Sequence, residues 1–293
     1  MAEPKVELRK TRDLSQNLND TFTFIRQNFK PLVTSFIGIA GIIMLANAIL
    51  SGVYQSQAGN IFKDILGRPN DIRSLFSILG PTYFAVMILG WINFIAMNVV
   101  ITCYMKLYDS LQGQSPTIQE VWEEFKKYFL KVFLYTIPVT LITIAGFSFC
   151  LLPGIYLAVV FAPFPIAVIV ENQTFGGAWN RCFNIIKDNF WTSLGIYILV
   201  YFIYAFSAGI ISAVVGALTG LVSYFTTKDI SATIGIVTSV LSIFSFLFYI
   251  IFYVSVCLHY FNLAERHDGT GMMRRLDTLG GSGNEFDNIQ EHY

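Results

Sequence analysis

Six separate stretches of this sequence are apolar for long enough to cross a lipid bilayer, at residues 32–54, 82–104, 129–149, 154–170, 191–215 and 232–260. A spanning helix needs about 20 such residues. Hydrocarbon offers a bare peptide group no hydrogen-bond partner, so each stretch must satisfy its backbone internally as a helix. The composition agrees: 54% of the residues are hydrophobic and only 13% charged, against about a quarter charged in soluble domains. The fourth stretch is short and is interrupted by Pro163 and Pro165. The fifth and sixth are long enough to tilt or to project beyond the hydrocarbon. The expected fold is an all-α membrane protein with six transmembrane helices, and an even number of spans puts both termini on one side.

Charge selects that side. With the N-terminus in the cytoplasm, all of the 19 Lys and Arg residues except Lys63, Arg68, Arg73 and Lys228 fall on inner segments, which is the bias of the positive-inside rule. Both termini are therefore expected inside. The net charge of zero gives no basic field for nucleic acid. The polar opening, residues 1–20, lacks the short charged region and cleavage site of a secretory signal, so the first apolar stretch is expected to stay in the mature protein. Cys103, Cys182 and Cys257 fall at the inner ends of spans and Cys150 alone at an outer end, which leaves no external disulfide pair. The glycosylation-like triplets Asn19-Asp-Thr21 and Asn172-Gln-Thr174 both fall inside and are read as chance matches.

A short pattern recurs before spans one, three and five: Phe22-Thr-Phe-Ile-Arg-Gln-Asn-Phe29, Trp122-Glu-Glu-Phe-Lys-Lys-Tyr-Phe129 and Phe183-Asn-Ile-Ile-Lys-Asp-Asn-Phe190. Apolar residues at i, i+3 and i+7 beside basic ones describe a helix lying at the membrane surface with its cations reaching to headgroups. Three amphipathic interfacial helices on the cytoplasmic side, each leading into a pair of spans, would make a threefold internal repeat. A general preference for basic and aromatic residues at span ends gives the same pattern without a repeat. Thr117 and Glu120 form a capping-box signature just before the second copy.

Between spans one and two, residues 55–81 contain a Gly-Arg-Pro-Asn turn between two amphipathic pieces, which reads as a surface-lying helical hairpin or a binding lid. On the fifth span, Ala205, Gly209 and Ala213 recur every four residues, and Ser212, Gly216 and Gly220 recur beside them. Small residues at that spacing let helices approach closely in lipid, either within the chain or between copies of it. The organisation read from this is a polar cytoplasmic arm at 1–20, a membrane domain at 21–263 and a tail at 264–293, with a short helix around 272–279 and disorder beyond.

Chemistry concentrates in residues 151–191. Glu171 stands at the inner end of the proline-broken span, with Arg181 and Lys187 on the helix that follows. Two readings stand side by side. In one, Glu171 bonds backbone donors and pairs with Arg181 or Lys187, with Asn172 and Thr174 as helix caps. In the other, the break at Pro163 and Pro165 opens a vestibule in which Glu171 takes a cation or a proton. Elsewhere the spans hold Asn47, Asn93, Asn98, Thr140 and Thr143, which can bond between helices or line a cavity. His259, His267 and His292 have no acidic partner at ligand spacing, and the four cysteines are dispersed, so no metal and no cofactor are expected. Phosphate-loop, dinucleotide, zinc-protease and nucleophile-elbow motifs are missing from the sequence.

Leu152-Pro-Gly-Ile-Tyr-Leu, Ile169-Val-Glu171, Ala178-Trp-Asn-Arg-Cys-Phe and Asp188-Asn-Phe-Trp191 resemble the membrane domain attached to some bacterial glycerophosphodiester phosphodiesterases. They also resemble related stand-alone multi-pass proteins, and the segment from His259 to Gly271 is similar to inner-membrane proteins of Bacteroidetes-type bacteria. In those phosphodiesterases a separate soluble barrel does the hydrolysis. The resemblance therefore implies a membrane module in a bacterial inner membrane and transfers no catalytic residue. The expected role is a non-enzymatic scaffold or partner-binding module, with a homo-oligomer through Gly209, Ser212, Gly216 and Gly220 as one form of it. The alternatives are a small permease or lipid-handling transporter using the fourth span and, third, a lipid-modifying enzyme. A polar cavity reaching mid-depth near Pro163, Asn93 and Asn98 would mark a transporter, and a packed interior with an apolar or small-residue face left open would mark a scaffold.

Overall fold

A computed structural model of the chain describes residues 5–67, 79–226, 230–269 and 273. Among these, regular structure is helical throughout: α1 (Leu14–Gly67), α2 (Pro81–Ser110), α3 (Ile118–Phe149), α4 (Leu151–Phe161), α5 (Phe164–Val170), α6 (Phe175–Ile186), α7 (Phe190–Thr226) and α8 (Ile230–Asp268). Six of the helical stretches are long and apolar enough to cross a membrane, with α4 and α5 together forming the fourth. The chain is a multi-pass α-helical membrane protein. α1 packs along α8 over the broadest interface, α2 lies against α1, and α3 folds back on α4.

Local chemistry sets the breaks. Helix α1 leaves helical geometry at Asn28, where φ is −112° and ψ 15°. Pro31, three residues on, has no N–H and crowds the preceding turn, which is the ordinary cause of a sharp kink. The amide of Asn28 bridges the gap by donating to Phe24 O at 3.0 Å. Past the kink no proline occurs before Gly67, and the helix continues beyond the first span through the first arm of the expected outer hairpin. The rest of that hairpin, residues 68–78, lies outside the described residues. Helix α3 starts as the sequence predicts. Thr117 N donates to the Glu120 carboxylate at 2.7 Å, and Glu120 N donates back to Thr117 Oγ1 at 3.4 Å.

A single extended residue, Cys150, joins α3 to α4. The two helices cross so closely that a Cβ on Gly154 would stand 2.8 Å from Phe147 Cα, and one on Gly146 would stand 3.3 Å from Gly154 Cα. Glycine is required at 154 because backbone occupies the space a side chain would need.

Of the three recurrent segments, the first and third break from their spans and the second does not. Asn189, which aligns with Asn28, ends a 3₁₀ turn at Lys187–Asn189, and its amide donates to Ile185 O at 3.4 Å, four residues back as in Asn28. Tyr128 holds the matching place in the second copy, and there the helix runs straight on into the span. Helix α6, which runs into the third segment, buries Ala178, Cys182, Ile185 and Ile186.

Burial is uneven along the bundle. The buried part of α2 runs from Asn93 to Tyr108 and that of α8 from Ile250 to Glu265, while α7 buries nothing after Val200 among its described side chains. The bundle is therefore tightly packed at the end carrying both described chain ends and looser toward the other. Helix α8 also continues past the expected tail boundary to Asp268, burying Ala264 and Glu265. The short helix expected at 272–279 lies, apart from Met273, outside the described residues.

Candidate functional site

Glu171 closes α5, and Asn172 follows it in left-handed geometry with φ 51°. Thr174 then caps α6 by accepting from Gly177 N at 3.3 Å. This turn brings Arg181, one face along α6, back over Glu171. Arg181 Nε donates to Glu171 Oε1 at 3.0 Å, and the Tyr260 hydroxyl donates to the same oxygen at 2.5 Å. Both Nη atoms of Arg181 also bind the Asp268 carboxylate at the end of α8. Of the two cations expected near Glu171, then, Arg181 pairs with it, while Lys187 lies beyond α6 in the 3₁₀ turn. Glu171 bonds side chains rather than backbone donors, and capping falls to Thr174. A carboxylate already engaged by a guanidinium, a phenol and the Gln173 amide at 3.5 Å is a joint between α5, α6 and α8.

A second polar joint was not legible in the sequence. Arg12, in the expected polar arm, is 2% exposed. Its guanidinium donates to Asp20 at 2.8 Å, to Leu8 O at 2.7 Å and to Lys10 O at 3.1 Å, and also reaches Glu7 O. The Arg12 backbone is held from α8: Arg12 N donates to Asn262 Oδ1 at 2.8 Å, and Asn262 Nδ2 and Arg266 Nη2 donate to Arg12 O at 3.0 and 2.6 Å. With Val6 and Leu8 buried beside it, the arm is folded onto the bundle rather than standing free. Nothing in one Arg among other charged residues signals this, because apart from Asp20 its partners are backbone carbonyls and a distant helix end.

The polar residues of the spans meet two adjoining cavities. The first, of about 380 Å³, lies among α2, α3, α4, α5 and α8 and is walled mainly by Phe94, Ile95, Phe161, Phe164 and Val256, with Asn98, Thr136, Thr140 and Thr143 at intervals. The second, of about 460 Å³, lies among α1, α2, α7 and α8 and holds Asn47 and Asn93. Phe94, Tyr249 and Phe252 line both and form the partition, where the Tyr249 hydroxyl donates to Asn98 Oδ1 at 2.9 Å. Both volumes fall within the range of about 300–1,000 Å³ usual for small-molecule pockets. Asn93 and Thr140 sit near the middle of their apolar stretches, so the cavities lie at mid-depth of the spans.

The proline break shapes one wall. Pro163 and Pro165 have no N–H, so the carbonyls of Val159 and Phe161 lack their helical donors, and the chain turns at Ala162–Pro163 before α5 resumes. Ala162, Phe164 and Pro165 line the first cavity, whereas Pro163 itself and Glu171 do not. The structure thus gathers Asn98 and Pro165 at one cavity, Asn93 at the other, and Glu171 with Arg181 in a separate joint.

His259 is fully buried with Nε2 2.8 Å from Ser193 Oγ, and that hydroxyl donates to Asn189 O at 2.9 Å. The pair ties α7 to α8 and lines neither cavity. All four cysteines are free, Cys150 exposed and the others buried. Among the described residues no cluster of His, Cys, Asp and Glu is arranged to hold a metal. On α7, a Cβ at Gly209 or Gly216 would meet nothing within 4 Å among the described residues. Ser212 bonds its own helix at Ala208 O, and at Gly220 the description is limited to the helical backbone.

No family model matches the chain, and comparison with characterised proteins and with solved structures returned no significant match.

Proposed function

We propose that this protein is a lipid-handling membrane module that receives an acyl chain between its spans. The observation carrying this reading is the 380 Å³ cavity at mid-depth beside the broken fourth span, walled chiefly by apolar side chains. Irregular backbone at membrane depth is tolerated where it borders protein or a cavity, and Ala162 to Pro165 is such a place. The weak polarity of the walls suits a hydrocarbon chain better than an ion or sugar, which would need several converging polar groups. The same cavity puts lipid handling ahead of the scaffold role that the sequence favours. The open positions at Gly209 and Gly216 support a second, compatible reading in which α7 meets another copy of the chain.

In this reading the charged end, with the Arg12 and Arg181 joints, faces the cytoplasm of a bacterial inner membrane. The distribution of basic residues supports that orientation, and the resemblance to phosphodiesterase membrane domains supports the bacterial setting. The recurrent segments ending at Phe29, Phe129 and Phe190 lie along that surface as amphipathic elements of a threefold repeat. The matched carbonyl bonds of Asn28 and Asn189 support the pairing of the first and third copies.

The test is native mass spectrometry of the purified protein supplied with phosphatidylglycerol in mild detergent. The unaltered chain retains one lipid, and Thr143→Phe, which puts a ring into the cavity and obstructs it, loses it. No retained lipid, or equal retention by a well-folded Thr143→Phe, overturns the proposal.

A further inference from the structure

Two amide groups in the second cavity lack the partners that their burial demands. Asn47 is 6% exposed and Asn93 1% exposed. Asn47 Nδ2, a donor, and Asn93 Oδ1, an acceptor, have no hydrogen-bond partner among the described residues. Both residues line the same 460 Å³ chamber. Gly90 opens it further, since a Cβ there would stand 3.3 Å from Asn47 Nδ2. Buried polar atoms are almost always paired, and a donor and an acceptor left open in one cavity mark a place for a group that answers both.

The rest of the chamber limits what that group can be. Its other walls are Met97, Phe246, Phe252 and the rings of Tyr204 and Tyr249, with no charged residue among them. An ionic headgroup would be desolvated there without a counterion. Phe94 and Tyr201 also line it and are 47% and 56% exposed at mid-depth of their helices, so the chamber opens sideways toward hydrocarbon. Whatever enters comes from within the bilayer.

We propose that this chamber binds a neutral amphiphile whose apolar chain carries one group able both to accept and to donate a hydrogen bond, an amide or a hydroxyl. Its acceptor takes the Asn47 Nδ2 proton, its donor binds Asn93 Oδ1, and its chain lies against the aromatic walls. The inference rests on the lipid-handling reading and specifies which lipids the second chamber selects. Esters and hydrocarbons fill the same space and leave Asn93 Oδ1 unanswered.

The test is binding of radiolabelled oleamide to the full chain in detergent, with unlabelled oleyl alcohol, methyl oleate and 1-octadecene as competitors. Oleyl alcohol competes about as well as oleamide, and methyl oleate and octadecene are at least about tenfold weaker, the loss expected for one unanswered buried hydrogen-bonding group. Asn47→Leu and Asn93→Leu each weaken oleamide by about tenfold. If either variant fails to fold, the order of the competitors on the unaltered chain decides. Equal competition by octadecene, or undiminished oleamide binding in folded variants, overturns the chamber's selectivity and leaves acyl-chain binding standing. Absence of oleamide binding with phosphatidylglycerol retained overturns this proposal alone, and loss of both overturns the two together.

Discussion

Arg181 Nε and the Tyr260 hydroxyl meet on one oxygen of Glu171, at 3.0 and 2.5 Å, while the outer edge of the same guanidinium holds Asp268. One cation thus fastens the end of α5 and the end of α8 to α6. Arg181→Met leaves two carboxylates facing each other without it and is expected to cost about 2 kcal/mol, less than a fully buried pair because all three side chains keep some contact with solvent. Glu171→Gln retains an acceptor for Tyr260 and costs about 1 kcal/mol. Thermal unfolding in detergent measures both. If Glu171 instead bound a proton or cation for transport, Glu171→Gln would abolish that activity at unchanged stability.

The Arg12 joint predicts a release rather than a global collapse. Arg12→Met removes the donors to Leu8 O, Lys10 O and Asp20, while the α8 contacts to its backbone remain possible. The arm then opens locally, and amide exchange of residues 5–13 accelerates by at least about tenfold, with the core of α8 unchanged. Uniform acceleration throughout the bundle would show that the arm holds the fold as a whole.

At Gly154 the prediction is steric. Gly154→Val places methyl groups where Phe147 backbone and ring already stand, so α3 and α4 must separate at a cost of about 1–3 kcal/mol. Gly209→Val meets no described residue and changes monomer stability by less than about 1 kcal/mol. Paired thermal unfolding of the two variants checks the contrast.

Cys150 provides a test of orientation that uses a native side chain. It is exposed at the corner between α3 and α4, and the other three cysteines are buried. With the chain expressed in the inner membrane of a Gram-negative host whose outer membrane is permeabilised, a membrane-impermeant maleimide should label Cys150, and Cys150→Ser should abolish the labelling. Labelling only after the inner membrane is broken would place that corner in the cytoplasm and reverse the assignment.

Much of the architecture was legible from local signals. The Thr117–Glu120 box requires only neighbours in sequence, and the six helices follow from the length of their apolar runs. The Asn28 kink was less visible, although Pro31 marks it. Glu171 stood out as a lone carboxylate at the end of an apolar run, but its partner across the bundle, Asp268 by way of Arg181, did not, because α6 and the end of α8 are distant in the chain. Asn93 and Asn98 read alike, as residues that bond between helices or line a cavity. In the fold they part, Asn98 accepting from Tyr249 and Asn93 left with an open oxygen.

Sequence by itself determined that this is a six-span helical membrane protein, since in hydrocarbon every long apolar stretch must satisfy its own backbone and a helix does so with local bonds. Only the tertiary structure decided which polar groups are answered and which are left facing a cavity. That depends on how six helices of nearly uniform apolarity rotate and cross, and lipid-facing and protein-facing residues are too alike in chemistry for the sequence pattern to set those angles.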